Sequence, residues 1–591
     1  MSALLILIIS GILLGSGYKF YGRFLEKKIF NCNILASVPS HTLADGKEFI
    51  ASKKSVMFGH HFTSIAGTGP IVGPAIGVIW GWLPALLWVI FGSIFLGAVH
   101  DFSVLMLSIR NKGQSIAQIS EQYLGPQLKY AFFMIICLAL WIVIAIFALI
   151  MGLIFTQFPT SVIAIWLEIP IAIGMGYWVF KKKGNLILAT ILSVSGMYVC
   201  VYLGQVFPLT LPNWGSMPSS GIWAFILLIY AFVAARIPVN TLLQPRDFLN
   251  AWQLYIALAL ILLGMIAIAL QGNPLIMHAP AINPSPIGAP SIWPFLCITI
   301  ACGAISGFHS LICSGTTSKQ INNEIDAKAV GYGSMIGEGF LAVLIIIAVC
   351  AGLSLAYTDN EGQTLIGIQA WNTHYGSWQS SSGLGSKLVA VVTGCANFMS
   401  GIGISSSFAS AIMGVLIASF AGTTLDSATR VQRYMITELC QNSPLKNWIT
   451  PTKSCGIAVC SAAILAFSSG LNGKGALALW PLFGTVNQLL AALALLLVTM
   501  FLKKEKKGYV WVSFLPCVAI LAITLWASLA NQWQFFKQGS WGLLVINSLI
   551  LGLAIWLIAK SLEHIFRKTA KGKTAYTHTA KSPKKPSLTH L

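Results

Sequence analysis

Apolar runs of about 18 to 25 residues succeed one another along almost the whole chain, separated by short polar segments. A run of that length is what an α-helix needs to cross a hydrocarbon layer of roughly 30 Å. A membrane β-barrel would instead show short segments of alternating polarity. Candidate helices fall near 2–18, 58–81, 82–108, 128–155, 160–180, 184–207, 221–237, 252–271, 291–314, 333–357, 384–424, 455–471, 475–501, 510–530 and 541–562. The pattern predicts an all-α polytopic membrane protein with about 15–16 transmembrane helices. The first run has no basic start and no small-residue cleavage site after it, so it reads as a retained helix.

Lysine and arginine mark every second connection: 19–54, 110–112, 181–183, 236–246, 319–328, 430–453 and 503–507. The connections between them, 156–160, 208–220, 271–290, 358–383 and 531–540, lack such clusters. Basic loops stay in the cytoplasm. The alternation holds only if 384–424, interrupted by SGIGISSS at 400–407, crosses an odd number of times, as one broken crossing or three short passes. Fifteen crossings are then expected, with the N-terminus outside and the C-terminus in the cytoplasm; apolar length alone gives sixteen.

Composition agrees. Hydrophobic residues make up 56% and charged residues 9% of 591, with a mean hydropathy of +0.79. A soluble domain carries roughly 25% charged residues. The net charge of +20 sits in short loops and the tail, so it sets orientation and gives no reason to invoke nucleic acid. Twelve cysteines occur without a Cys-x-x-Cys pair, which supports neither a zinc site nor a disulfide framework. Residues 1–565 read as one transmembrane unit, and 566–591 as a basic, disordered cytoplasmic tail able to touch anionic lipid. No soluble domain of catalytic size is visible, so no enzyme, cofactor or metal is expected.

Two segments break the rules of a membrane helix. In FGHHFTSIAGTGPIVGPAIGVIWGW, 58–82, Gly67, Gly69, Pro70, Gly73 and Pro74 fall within eight residues behind His60 and His61. In ACGAISGFHSLICSGTTSKQ, 301–320, Gly303, Gly307 and Gly315 accompany His309, Ser310, Ser314 and Thr316. Irregular backbone at membrane depth is tolerated only when buried in protein or lining a wet cavity, and transporters bind substrate at such breaks. The N–H groups freed around Gly67-Thr68-Gly69 would suit a carboxylate. Candidate substrate-binding residues are therefore Gly67, Thr68, Gly69, His309, Ser310, Ser314 and Thr316.

Ionisable groups inside apolar runs are functional candidates by default. His60, His61, Asp101 and Glu338 are the candidates for proton or ion coupling. Arg236, Asp426, Arg430, Asn487 and Gln488 are candidates for structural or gating roles. Asp426 and Arg430 stand four apart and could pair on one helix face; buried amides at Asn487 and Gln488 need partners. His278, His374 and Glu168 read as loop or interface residues.

The motifs FGHHFTSIAGTGPIVGP, AVHDFSVL, RIPVNTLLQPRDFLN, ACGAISGFHSLICSGTTSKQ, YGSMIGEGFLA, TTLDSATRVQRY and WPLFGTVNQLLAAL resemble the carbon starvation protein A family of bacterial inner-membrane transporters. They run from Phe58 to Leu493. The resemblance implies a core of inverted repeats with two broken helices, akin to the amino acid–polyamine–organocation superfamily. It also implies uptake of small carbon and nitrogen sources on starvation, with pyruvate in symport with protons, or short peptides, as substrates. H⁺, or Na⁺ in its place, and the lipid bilayer are the other partners. Two alternatives differ in class: a redox protein holding haem through histidines, and a starvation sensor that transports nothing. Adjacent His60 and His61 point about 100° apart on a helix and cannot both face one iron; no receiver, kinase or Walker A motif supports the sensor.

Overall fold

The computed structural model describes residues 2–359, 361–441, 443–473, 475–505 and 508–566. From residue 567 onward, the basic tail expected at 566–591 lies outside the described residues. Among the described residues, eleven helices are long and apolar enough to span a membrane. Two broken helices add to these: Lys54–Ala66 with Gly69–Trp80, bent by 43°, and Ile292–Thr299 with Gly307–Gly315. With the shorter apolar helices Ser219–Ala234 and Pro451–Phe467, fifteen passes run between the two ends of the bundle. Polar side chains start several of them: Asn185 accepts the amides of Ile187 and Leu188, and Thr450 accepts that of Lys453.

Ten of the passes form two sets of five. The first comprises the Lys54–Trp80 broken helix, Trp82–Arg110, Pro126–Gln157, Ser219–Ala234 and Leu243–Leu270. The second comprises the 292–315 broken helix, Lys328–Leu355, Ser406–Cys440, Pro451–Phe467 and Trp480–Glu505. Leu243–Leu270 packs on the first broken helix as Trp480–Glu505 packs on the second. Pro126–Gln157 packs on Ser219–Ala234 as Ser406–Cys440 packs on Pro451–Phe467. Each helix of the second set runs opposite to its counterpart, which is an inverted repeat. The hairpin Thr160–Lys181 and Leu186–Val206 is inserted in the first set.

Two expectations are corrected. The run 384–424 is neither one broken crossing nor three passes. It divides at Gly401–Ile404 into Leu384–Ser400 and Ser406–Cys440, where Gly403 takes a φ of +84° and Ser405 caps the second helix. Leu384–Ser400 enters and leaves at one end of the bundle: Gly385 lies against Gln157, and the Gln271 amide donates to the Gly401 carbonyl at 3.3 Å. Both glutamines sit where long helices finish at that end. Only Ser406–Cys440 traverses, so the odd number of crossings holds. The run expected at 252–271 begins at Leu243 instead, because Pro245 occupies the first turn, where its missing N–H is tolerated.

The re-entrant helix sits so close to Leu243–Leu270 that a Cβ on Gly264 would lie 1.9 Å from the Phe398 carbonyl oxygen. Gly264→Ala should therefore destabilise the protein by roughly 1–3 kcal/mol, as overpacking does, read as a lower unfolding midpoint in detergent. Gly552→Ala, whose Cβ would meet nothing within 4 Å, should not lower it.

Candidate functional site

The first break is made by Gly67, which at φ +50° and ψ −146° ends Lys54–Ala66 in a conformation that disfavours side chains. A Cβ there would lie 2.4 Å from Thr424 Oγ1, and one on Gly69 would lie 2.4 Å from Cys302 Sγ. Gly69 thus lets the two breaks approach each other, and Gly67 lets the first approach Ser406–Cys440. The second break, between Thr299 and Gly307, is held by two adjacent amides of the facing helix. Asn487 Oδ1 accepts the Phe308 amide at 2.8 Å and the Ser306 hydroxyl at 3.2 Å. Gln488 Nε2 donates to the Cys297 carbonyl at 2.7 Å. One side chain caps the half-helix that begins after the break, and its neighbour satisfies the half-helix that ends before it. The structural role expected of this pair has here a definite geometry.

A cavity of about 570 Å³ reaches both breaks, touching Gly69 on one and Ala301 and Cys302 on the other. Its wall is aromatic and amide in character, with Trp378, Trp480, Phe483, Asn531 and Gln534, and no charged side chain among the lining residues. The electrostatics come from the backbone: the N-terminus of Gly69–Gly77 presents partial positive charge, and the C-terminus of Ile292–Thr299 partial negative charge. The outer half of the first broken helix is tied to the re-entrant region, because the Tyr375 hydroxyl donates to the Ala75 carbonyl at 2.5 Å. Lys387, fully buried, lies 3.6 Å from the centre of the Tyr375 ring and donates to the His374 carbonyl.

Behind the cavity lie two buried ionic clusters. In the first turn after the second break, His309 Nδ1 donates to Asp101 Oδ2 at 2.8 Å, and Nε2 lies 3.4 Å from Glu338 Oε2. His100 Nδ1 donates to the other Asp101 oxygen at 2.7 Å. The second cluster joins the inner half of the first broken helix to two neighbours. His60 Nδ1 donates to Asp247 Oδ2 at 2.6 Å, and the Ser64 and Thr423 hydroxyls donate to the same carboxylate at 3.1 Å. Arg246 stands 3.6 Å from Asp247 and is hydrogen-bonded to Asp426, which also accepts the Tyr230 hydroxyl at 2.9 Å.

Of the residues expected to bind substrate, the structure brings Gly69 to the cavity. The hydroxyls of Ser310, Ser314 and Thr316 turn instead to their own helix, donating to Gly307, Ser310 and Ile312 carbonyls. Ser314 also accepts the Ile116 amide at 3.1 Å. His309 faces carboxylates rather than the cavity. His61 is hydrogen-bonded to Thr317 at 2.8 Å, away from the Asp247 cluster, so the two adjacent histidines serve different helices, which does not suit haem. The Asp426–Arg430 pair does not form. Asp426 meets Arg246, and Arg430 donates to the Ala234 and Ile237 carbonyls, satisfying the end of Ser219–Ala234. Among the described residues Arg236 makes no ion pair; it is exposed, its guanidinium 5.2 Å from the Phe232 ring centre. Glu168 accepts the Ser419 hydroxyl at a helix interface.

Arg246, Asp247, Thr423 and Lys387 were not anticipated. In sequence, Arg246 closes the basic connection 236–246 and Asp247 lies between it and the apolar run at 252–271. The available signal was an Arg-Asp pair directly after a proline that can occupy a first turn.

Residues 2–527 match the carbon starvation protein CstA family. The chain is 33% identical over 554 residues to a peptide transporter CstA of Campylobacter jejuni, covering 87% of this chain and 78% of that one. It is 32% identical to a peptide transporter CstA of Bacillus subtilis, covering 95% and 96%. It is 31% identical to the pyruvate/proton symporter BtsT of Escherichia coli, covering 89% and 81%. The crystal structure of MhsT in complex with L-phenylalanine superposes with a TM-score of 0.50 at 13% identity, over 81% of this chain and 99% of that one, a likeness of fold.

Gln488→Leu would leave the Cys297 carbonyl buried without its donor. A loss of roughly 1–3 kcal/mol is expected, seen as a lower unfolding midpoint of the purified protein.

Proposed function

We propose that this chain, which belongs to the carbon starvation protein CstA family, is a secondary active transporter of the bacterial cytoplasmic membrane that imports a small carboxylate or a short peptide with protons when preferred carbon runs out. The observation that carries this reading is the cavity joining both helix breaks, with the Asp101–His309–Glu338 row in the first turn beyond the second. The substrate's carboxylate would meet the freed amides at Gly67, Thr68 and Gly69; an ammonium group, in a peptide, would meet the carbonyl end at Thr299. A volume of about 570 Å³ accommodates either. The names carried by the relatives, a peptide transporter and a pyruvate/proton symporter, agree with both substrate classes.

A proton partner has a physical purpose. An anion moved alone against an inside-negative potential costs about 2.3 kcal/mol per 100 mV, and one accompanying proton cancels that term. The Asp101–His309–Glu338 row can carry it: all three side chains are fully buried, and neither Glu338 oxygen has a hydrogen-bond partner among the described residues. Uptake of pyruvate or of a dipeptide into proteoliposomes should rise when the outside is made acid. Glu338→Gln should weaken that acid stimulation while counterflow exchange persists. Modification of Cys302, in a variant with no other cysteine, should block uptake and be slowed by substrate. Uptake indifferent to the pH gradient and to Cys302 modification would overturn the reading.

The connections 156–160, 208–220, 271–290 and 358–383 at one end of the bundle carry no lysine or arginine, whereas those at the other end are basic. The basic end is assigned to the cytoplasm, which puts the cavity mouth and the N-terminus outside. A reporter active only in the cytoplasm should work when fused after Leu591 and fail when fused after Asn213.

A further inference from the structure

We propose that the His60–Asp247–Arg246–Asp426 cluster is a second proton site, distinct from Asp101–His309–Glu338, so that two protons accompany each substrate. The inference rests on the transport reading above and adds its stoichiometry.

The argument is one of charge balance in a dry interior, where an uncompensated charge is costly. Asp247 and Asp426 share one guanidinium, that of Arg246. Serine, threonine and tyrosine hydroxyls donate to the two carboxylates but bring no charge. The cluster is neutral only when His60 also carries a proton, and its Nδ1 already donates to Asp247 at 2.6 Å. The remaining ionisable groups nearby are His61, on the next position of the same helix, and Glu168, which accepts the Ser419 hydroxyl, lines a small cavity with Arg246 and Tyr230, and enters this balance protonated. In the other cluster, Asp101 and Glu338 flank a single His309, with His100 donating to Asp101. There one proton on His309 balances Asp101, and a second, on Glu338, closes the balance with His100 neutral. The proton that completes each balance therefore sits next to atoms without a hydrogen-bond partner among the described residues: His60 Nε2 in one cluster, both Glu338 oxygens in the other.

The inner half-helix Lys54–Ala66 closes both clusters. His60 enters one, and on another face Phe62 packs beside the other, its ring within 3.1 Å of where a Cβ on Gly337, the neighbour of Glu338, would stand. His61 Nε2 lies 3.9 Å from Cys313 Sγ, which donates to the Asp101 carbonyl. Displacing this half-helix toward the cytoplasm would admit water to both clusters in one movement, and both protons would leave on the same side. With a monocarboxylate anion, two protons carry one net positive charge inward; with one proton the cycle would be electroneutral.

The test is the voltage at which net flux vanishes in proteoliposomes, with no pH gradient and an imposed potassium diffusion potential. For two protons, a tenfold pyruvate gradient is balanced by about 60 mV, and a tenfold gradient of zwitterionic alanyl-alanine by about 30 mV. His60→Gln should make pyruvate flux insensitive to voltage and move the dipeptide balance to about 60 mV; Glu338→Gln should remove one charge likewise. A role of His60 in packing alone would lower the rate without moving the balance point. Wild-type pyruvate flux indifferent to voltage overturns the second site, whatever the variants do. A balance point unchanged by His60→Gln overturns the assignment to this cluster. No flux of either compound under any gradient overturns the transport reading and this inference with it.

Discussion

A backbone amide or carbonyl released from a helix inside the bilayer has no water to turn to, and each one left alone costs on the order of a few kcal/mol. The arrangement around the two breaks follows from that constraint. At the second break, Asn487 and Gln488 supply the missing partners from a neighbouring helix. At the first, glycines replace side chains so that Thr424 and Cys302 can come close. The unequal treatment matters: one broken helix is clamped by a partner's amides, and the other is tied down chiefly through its inner half, by His60 and Ser64. A segment held by a few ionic contacts is the one whose position protonation can change.

The same constraint governs charge. The two clusters place their carboxylates between helices of different repeats or on both sides of a broken helix, so each ion pair is also a tertiary contact. Asp247 joins Leu243–Leu270 to the inner half-helix and to Ser406–Cys440 through Thr423. His309 joins the second broken helix to Trp82–Arg110 and Lys328–Leu355. Buried pairs of this kind are weak sources of stability because desolvation opposes the attraction. Under the proposed coupling, their value lies in making helix position depend on proton occupancy.

Much of this architecture was legible along the chain. Apolar run length established an all-α membrane protein, and the alternation of connections with and without basic clusters required an odd number of passes through 384–424. Glycine and proline density located the break after Ala66, and the isolated polar letters Asp101, His309, Glu338, Asn487 and Gln488 marked positions that cannot face lipid. These are local signals: each depends on what one residue or one helical length can do in hydrocarbon, whatever lies beside it.

Partnership was not legible, because it depends on which helices meet. Spacing four apart suggested that Asp426 would pair with Arg430, but the end of Ser219–Ala234 presents carbonyls to Arg430, and Arg246 comes from a helix 180 positions away. Arg236 and Arg246 look alike in sequence; only the first-turn position of Pro245 carries Arg246 inward while Arg236 stays exposed. His60 and His61 share one helix and serve two clusters, because the helical rotation between neighbours turns them to different partners. The sequence by itself determined that this chain spans a membrane with polar breaks in two of its helices. The tertiary structure decided which charges face each other, because inverted repeats bring together residues far apart in sequence and no local pattern encodes that packing.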